Sequence, residues 1–390
     1  PLEASQRSST REILLSIRDF ITAKFKRGVS SFTMKRREKQ KERIEAREKK
    51  IENEEGKLKL GNLIKPPQSI GNIFSNITNF LLFLAGGILF NILGLEKLLK
   101  GIEKTLLLHT EKLRQQKNKL EKISSLWDGS TPMIIDEFEN ENWYSYDMEY
   151  LDSVHGWELL EFSNRKDFFL QKIIRGMKEQ IYFDEYDIDG MEWLNAHLQS
   201  KIFPRLNQTN DILSKVCNDS NLIINGISTK SINSFFEGDI SYYSPTKKCI
   251  VHGDLSFENI FVNSNTEQIK FIDPDGSDFY DVPELDLGKM HQSVSMKYSQ
   301  WNIDDWSMNG NRFFISNNFF TGENDLKLLI NELWADVLNE DLERVRRKSI
   351  FYSVLHLIRL IPYKMKIDIG YSILSALLVR YWLEYLRKYI

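Results

Sequence analysis

Residues 249 to 276 read Cys249-Ile250-Val251-His252-Gly253-Asp254-Leu255-Ser256-Phe257-Glu258-Asn259-Ile260-Phe261-Val262, a polar turn, then Gln268-Ile269-Lys270-Phe271-Ile272-Asp273-Pro274-Asp275-Gly276. Three short apolar runs, Cys249 to Val251, Ile260 to Val262 and Ile269 to Ile272, are rich in β-branched and aromatic residues and bounded by turn formers, which predicts three strands. His252 to Asn259 is then a loop and Asn263 to Thr266 a turn. Asp254 and Asn259 share that loop, and the hairpin returns the chain so that Asp273 lies beside both. One oxygen-rich cluster from two loops is the result.

Such a cluster suits phosphoryl transfer, where the protein mainly positions groups and neutralises charge. Asp254 would orient and deprotonate an attacking hydroxyl, while Asn259 and Asp273 offer oxygens to Mg2+ on a nucleotide. Each residue also has a plainer reading. Asp and Asn are ordinary turn formers, Asp273-Pro274-Asp275-Gly276 is a good turn after a strand, and His252 reads as a structural histidine that fixes the loop. Glu258 reads as solvated. The joint fit, and no one residue, points to a site.

The pattern resembles the catalytic and metal loops of the aminoglycoside phosphotransferase and choline kinase family, distant relatives of protein kinases. The resemblance rests on His252, Gly253, Asp254 and Asn259, then Ile272, Asp273 and Gly276, and it covers about residues 130–390. It implies an α+β, protein-kinase-like fold: a mainly helical C-lobe with small β-hairpins. ATP would be the phosphoryl donor, Mg2+ the metal, and an amino alcohol, sugar or aminoglycoside hydroxyl the acceptor. Met148, Glu149, Tyr150 and Leu151 match the hinge whose backbone touches adenine, and Asp286-Leu287-Gly288-Lys289 matches a stretch whose Asp opens a helix and supports the catalytic loop.

With 390 residues, 42% of them hydrophobic, the chain has room for two or three domains and a sizeable core. A net charge of -3 gives no reason to expect nucleic acid. Cys217 and Cys249 make neither a disulfide framework nor a zinc signature, which fits a reducing, cytoplasmic compartment. Starting at Pro1, the chain reads as a fragment or a processed product. Arg18, Asp19, Lys24 and Lys26 interrupt its first apolar positions, unlike a secretory signal.

Residues 1–65 read as two helices. Thr10 to Phe25 is amphipathic and basic, suited to a partner helix or an anionic membrane surface, and Met34 to Glu55 is almost wholly charged and solvated. Residues 66–105 form an apolar segment in which no charge appears before Glu96. Ile77 to Leu95 has the length of a membrane span and equally suits a buried or interfacial helix, so membrane attachment or self-association through 77–95 is one expectation. Residues 106–129 read as a linking helix, and Pro132 opens the kinase-like part with a hairpin turning at Glu139 to Asn142. Helices are expected at Trp157 to Gln180, at Met191 to Val216 with a break or kink at Pro204, at Leu326 to Leu338, and over Ile350 to Tyr389 as a pair divided near Pro362. Ile369 to Leu386 is apolar enough to suggest a second span, but Asp368, Arg380 and Glu384 favour a buried helix.

The first third departs from the family. No strands, phosphate-covering glycine loop or strand lysine precede Pro132, so the small lobe is expected to be incomplete or missing. The competing reading is a membrane-associated scaffold that carries a degenerate kinase-like domain.

Overall fold

The hairpin at the centre of the sequence forms because its apolar residues alternate. Ile260, Val262, Ile269 and Phe271 face the core while Phe261 and Lys270 point outward, in the register Ile260 to Phe271 and Val262 to Ile269. Asn263 closes the turn by accepting the Asn265 and Thr266 amides at 3.0 and 3.1 Å.

The structure, a computed structural model, describes residues 110–388 apart from 141–142, 163, 218–221, 277, 299–300 and 317–324, all within one compact unit, Asn91–Ile390. The helices expected before Glu55, the apolar stretch 77–95 and any strand or lysine of a small lobe before residue 110 lie outside the described residues. Strands are β1 (Ile134–Asn140), β2 (Trp143–Met148), β3 (Val154–His155), β4 (Tyr186–Asp187), β5 (Leu222–Ile224), β6 (Ile227–Thr229), β7 (Lys247–Ile250), β8 (Ile260–Asn263), β9 (Gln268–Phe271), β10 (Tyr280–Asp281), β11 (Trp306–Asn309) and β12 (Arg312–Ile315). The helices used below are α1 (110–126), α2 (Gly156–Phe162), α3 (Lys166–Gly176), α4 (Gly190–His197), α5 (Phe203–Cys217), α6 (Glu284–Ser295), α7 (Asp325–Leu338), α8 (Leu342–Ile367) and α9 (Ile369–Arg387).

The fold is mixed helix and strand. Among the described residues four small sheets run β1-β2, β10-β7-β4, β11-β12-β5-β6 and β3-β8-β9. One core joins α4, α5, α8 and α9, and a second joins Ile123 of α1 with α3, α6, α7 and the strands around the central loop. Helices α6 and α8 run between them and cross closely at Gly288. A Cβ there would lie 2.7 Å from the Cβ of Tyr352, so a larger residue would push the helices apart.

Several expectations are corrected. Trp157 to Gln180 is two helices, α2 and α3, parted just before Arg165, which pairs with Glu267 and stacks over Phe168 and Phe169. A wide, π-type turn at Met177–Ile181 then ends α3. The boundary expected near Pro362 falls instead at Asp368, whose extended backbone ends α8 and whose carboxylate caps α9 through the Gly370 amide at 2.7 Å. Pro362 lies inside α8, whose buried stripe continues to Ile361. Pro204 behaves as expected. It follows a π-type turn at Leu198–Ile202, and proline lacks the N–H that a regular helix would need there.

Among the described residues no helix is long and apolar enough to cross a membrane. Helix α9 is a core helix. Its Arg380 is 1% exposed and donates to the Thr229 carbonyl at 3.0 Å. Strands β5, β6, β11 and β12 fall in stretches that the sequence reading passed over.

Candidate active site

The loop after β7 is held from below by one carboxylate. Asp286, in the first turn of α6, is fully buried. It accepts the His252 amide at 2.9 Å, the Gly253 amide at 2.7 Å and the Tyr182 hydroxyl at 2.9 Å. Burial pushes its pKa up to about 6, against the pull of those hydrogen bonds and of the Lys119 charge. Asp286 thus sits where the resemblance led one to look, in the opening turn of a helix beneath the loop.

His252 is structural as well. Its Nε2 meets the Ile272 carbonyl at 3.0 Å and its Nδ1 meets the Asp254 amide at 3.3 Å, so the ring ties this loop to the segment that follows β9. Burial lowers its pKa to about 4. Gly253 has φ +81° and lies so near the next loop that a Cβ would stand 2.9 Å from the Cβ of Asp275.

Asp254 and Asp273 are brought onto one cavity, whereas Asn259 is not among its walls and uses its side-chain amide within its own loop. The Asn259 amide donates to the Asp254 carbonyl at 2.9 Å, and the Ile272 amide donates to the Asn259 carbonyl at 3.0 Å, which sets Asp273 one residue beyond. Asp273 itself adopts φ +53°, a left-handed conformation that non-glycine residues hold only where their surroundings enforce it. Asp254 and Asp273 line one cavity of about 170 Å³ with Lys112, Gln116, Lys289, Arg359 and Tyr363 among its other walls. Burial, then the neighbouring Asp254 charge, raises the Asp273 pKa. The Asp254 carboxylate pairs with Lys289 at 2.9 Å, and Asp275 pairs with Arg359 at 3.3 Å.

The sequence reading missed what α1 does. Treated as a link, the described part of this helix is built into the site. Gln116 donates to Asp273 Oδ1 at 2.6 Å and to the Pro274 carbonyl at 3.0 Å. Lys119, 2% exposed, donates to the carbonyls of Asp275 at 2.9 Å and Asp278 at 2.7 Å. The only signal in sequence was a lysine and a glutamine beside the apolar positions Leu120 and Ile123. An ion pair also joins α1 to the hairpin, Lys117 on the helix to Glu137 on the strand at 2.7 Å.

Met148, Glu149, Tyr150 and Leu151, expected at a hinge, are not among the walls of this cavity. Met148 pairs with Ile134 across the hairpin, and the Glu149 amide donates to the Met133 carbonyl at 2.9 Å. The Glu149 carboxylate is held by Lys270. Tyr150 is 81% exposed.

The donor set fits a hard divalent cation. The carboxylates of Asp254 and Asp273 on the cavity are the oxygen type that Mg2+ prefers, and a cation there would offset the repulsion between them. Among the described residues no three His, Cys, Asp or Glu side chains gather as a ready metal cage. Phosphates and water would complete the shell, as is usual for Mg2+.

No protein-family model and no curated protein sequence matches the chain. Among solved structures it is similar to a choline kinase from Cryptosporidium parvum, with 13% sequence identity, a TM-score of 0.38, and 70% of this chain and 78% of that one covered.

Proposed function

We propose that residues 110–388 carry a phosphotransferase site that moves the terminal phosphoryl group of ATP, presented with Mg2+, to a hydroxyl of a small molecule. The observation that carries this reading is the pairing of Asp254 and Asp273 on one cavity. One carboxylate stands on a loop pinned by Asp286, and the other follows β9 in a left-handed conformation. Asp254 orients the acceptor hydroxyl and takes its proton, and Lys289 holds that carboxylate in place. Asp273 and Asn259 would hold the metal, which neutralises charge on the phosphates. Lys112 and Arg359, on the walls of the cavity, face the phosphoryl oxygens. The hinge assignment narrows to the backbone of Tyr150 and Leu151, because Glu149 donates its amide within the hairpin. Under this reading the domain begins with α1 and works in the cytoplasm, where ATP is available.

Acceptor-dependent ADP release tests the reading. The full chain should release ADP from Mg-ATP only when a hydroxyl acceptor is added, and Asp254→Asn should abolish release. Release that persists in Asp254→Asn would remove Asp254 from the chemistry. A second reading, a scaffold with a degenerate site, is favoured by one observation: Gln116 donates to the very carboxylate assigned to the metal. No Mg-ATP binding by the full chain would decide for it.

A further inference from the structure

A second polar chamber adjoins the cavity, and Gly253, Asp275 and Arg359 are walls of both. Its volume is about 10 Å³, room for one water-sized atom. His197, at the end of α4, and Lys201, in the π-type turn that follows, both line it, and their spacing of four residues puts them on one side of the chain. His197 is 8% exposed and stacks on Trp193 at 4.8 Å, yet its buried Nε2 has no hydrogen-bond partner. A buried polar atom left in that way is costly unless a ligand meets it. Lys201 makes no ion pair among the described residues. The carboxylates around the chamber, in contrast, are matched or solvated. Asp281 accepts the Trp193 indole and the Val282 amide, both at 2.9 Å, Asp275 pairs with Arg359 at 3.3 Å, and Asp278 is exposed. A donor and a cation are what remain. The local charges agree: burial, then the Arg359 and Lys201 charges, lowers the His197 pKa to about 3, against a smaller opposing pull from Asp275.

We propose that this chamber is an anion subsite that takes one oxygen of a carboxylate or phosphate group, and that the acceptor is in consequence a hydroxyl compound carrying such a group. The acceptor clause rests on the phosphotransferase reading; the subsite does not. The neutral His197 ring, in its Nε2–H tautomer, donates to that oxygen, and the Lys201 and Arg359 cations offset its charge. The rest of the molecule lies in the cavity of about 170 Å³, where its hydroxyl meets Asp254, the residue next to the shared Gly253. A cationic acceptor would instead meet Lys201 and Arg359. His197 and Lys201 thus act as specificity-determining residues.

The test titrates glycerate and glycerol 3-phosphate into the full chain by calorimetry, with glycerol as the neutral counterpart. At least one of the two anions should bind at least about tenfold more tightly than glycerol. Lys201→Gln, at a half-buried position that accepts the change, should remove most of that preference and leave Mg-ATP binding as in the wild type. Equal binding of the anions and glycerol by the wild type, or an unchanged preference in Lys201→Gln, would overturn the proposal. Weaker Mg-ATP binding in Lys201→Gln overturns it too, because the cation then serves the nucleotide. His197→Phe, which keeps a ring on Trp193, should also lose the preference; should it fail to fold, Lys201→Gln decides. In the ADP-release assay an anionic acceptor should support turnover and choline should not. Turnover with choline overturns the acceptor clause. Absence of turnover with every acceptor removes the phosphotransferase reading and that clause together, while the glycerate and glycerol 3-phosphate titrations still decide the subsite.

Discussion

Replacing Lys119 with methionine should loosen the loop that carries Asp273 without touching any group in the cavity. The side chain is almost fully buried and its ammonium bridges two backbone carbonyls, those of Asp275 and Asp278. Hydrogen bonds from a charged donor contribute about 1.5–3 kcal/mol each, so two of them amount to roughly 3–6 kcal/mol. Burial lowers the Lys119 pKa, so removing the charge returns part of that sum. Methionine fills similar volume but leaves two carbonyls unpaired. The net loss should be about 2–4 kcal/mol in equilibrium urea unfolding. Hydrogen exchange should quicken first between Asp273 and Asp281. Lys119 also holds the Asp286 pKa down, so the variant should shift that pKa above about 6 and move the acid limb of activity to higher pH. A loss below about 0.5 kcal/mol, or unchanged exchange in this loop, would refute the role given to α1.

Other outcomes follow from the same contacts. Gly253→Ala forces a side chain into φ +81° and within 2.9 Å of Asp275, and should cost about 1–3 kcal/mol with a larger fractional loss of activity; a variant of wild-type stability would show that the two loops are not so closely apposed. Burial depresses the pKa of His252 to about 4, and of His197 and His291 to about 3. These imidazoles take up protons on unfolding below pH 6.5, so stability is full above that pH and is lost as pH falls toward 4. Asp286, with its pKa raised from 3.8 to about 6, acts oppositely across that window. Buried His356 is depressed as well and adds to the loss, while Asp273, Asp281 and Glu284, raised by burial, oppose it at lower pH; urea midpoints that stay level from pH 7 to 5.5 would contradict the histidine contribution. Asp254→Asn should abolish transfer while nucleotide binding stays nearly intact, since a base acts on the acceptor and a ligand acts on the metal; equal loss of both would contradict that division.

The loops around Asp254 and Asp273 were legible because their signals are local. Alternation marked β8 and β9 to within a residue and Asn263 marked the turn, while the Asp286 position came from the resemblance of Asp286-Leu287-Gly288-Lys289. The partners of those loops were not legible. Gln116 and Lys119 reach Asp273, Asp275 and Asp278 from more than 150 residues away in sequence, and a lysine in a charged helix looks the same whether it is solvated or bonded to two buried carbonyls. The helix boundaries failed for a related reason. Apolar periodicity runs on from Trp157 through Ile174, and the interruption before Arg165 answers to Glu267 across the fold. Pro362 promised a break, but tertiary packing carries α8 to Ile367 and the cap at Asp368 ends it.

The measurement that reaches the central claim most directly is calorimetric titration of ATP into the full chain with and without Mg2+, repeated for Asp273→Asn. Saturable binding should require Mg2+, and Asp273→Asn should weaken it by at least about tenfold, because the carboxylate that follows β9 would hold the metal. Binding that is indifferent to Mg2+, or an Asp273→Asn variant that binds as the wild type does, would contradict the assignment of this cavity to phosphoryl transfer.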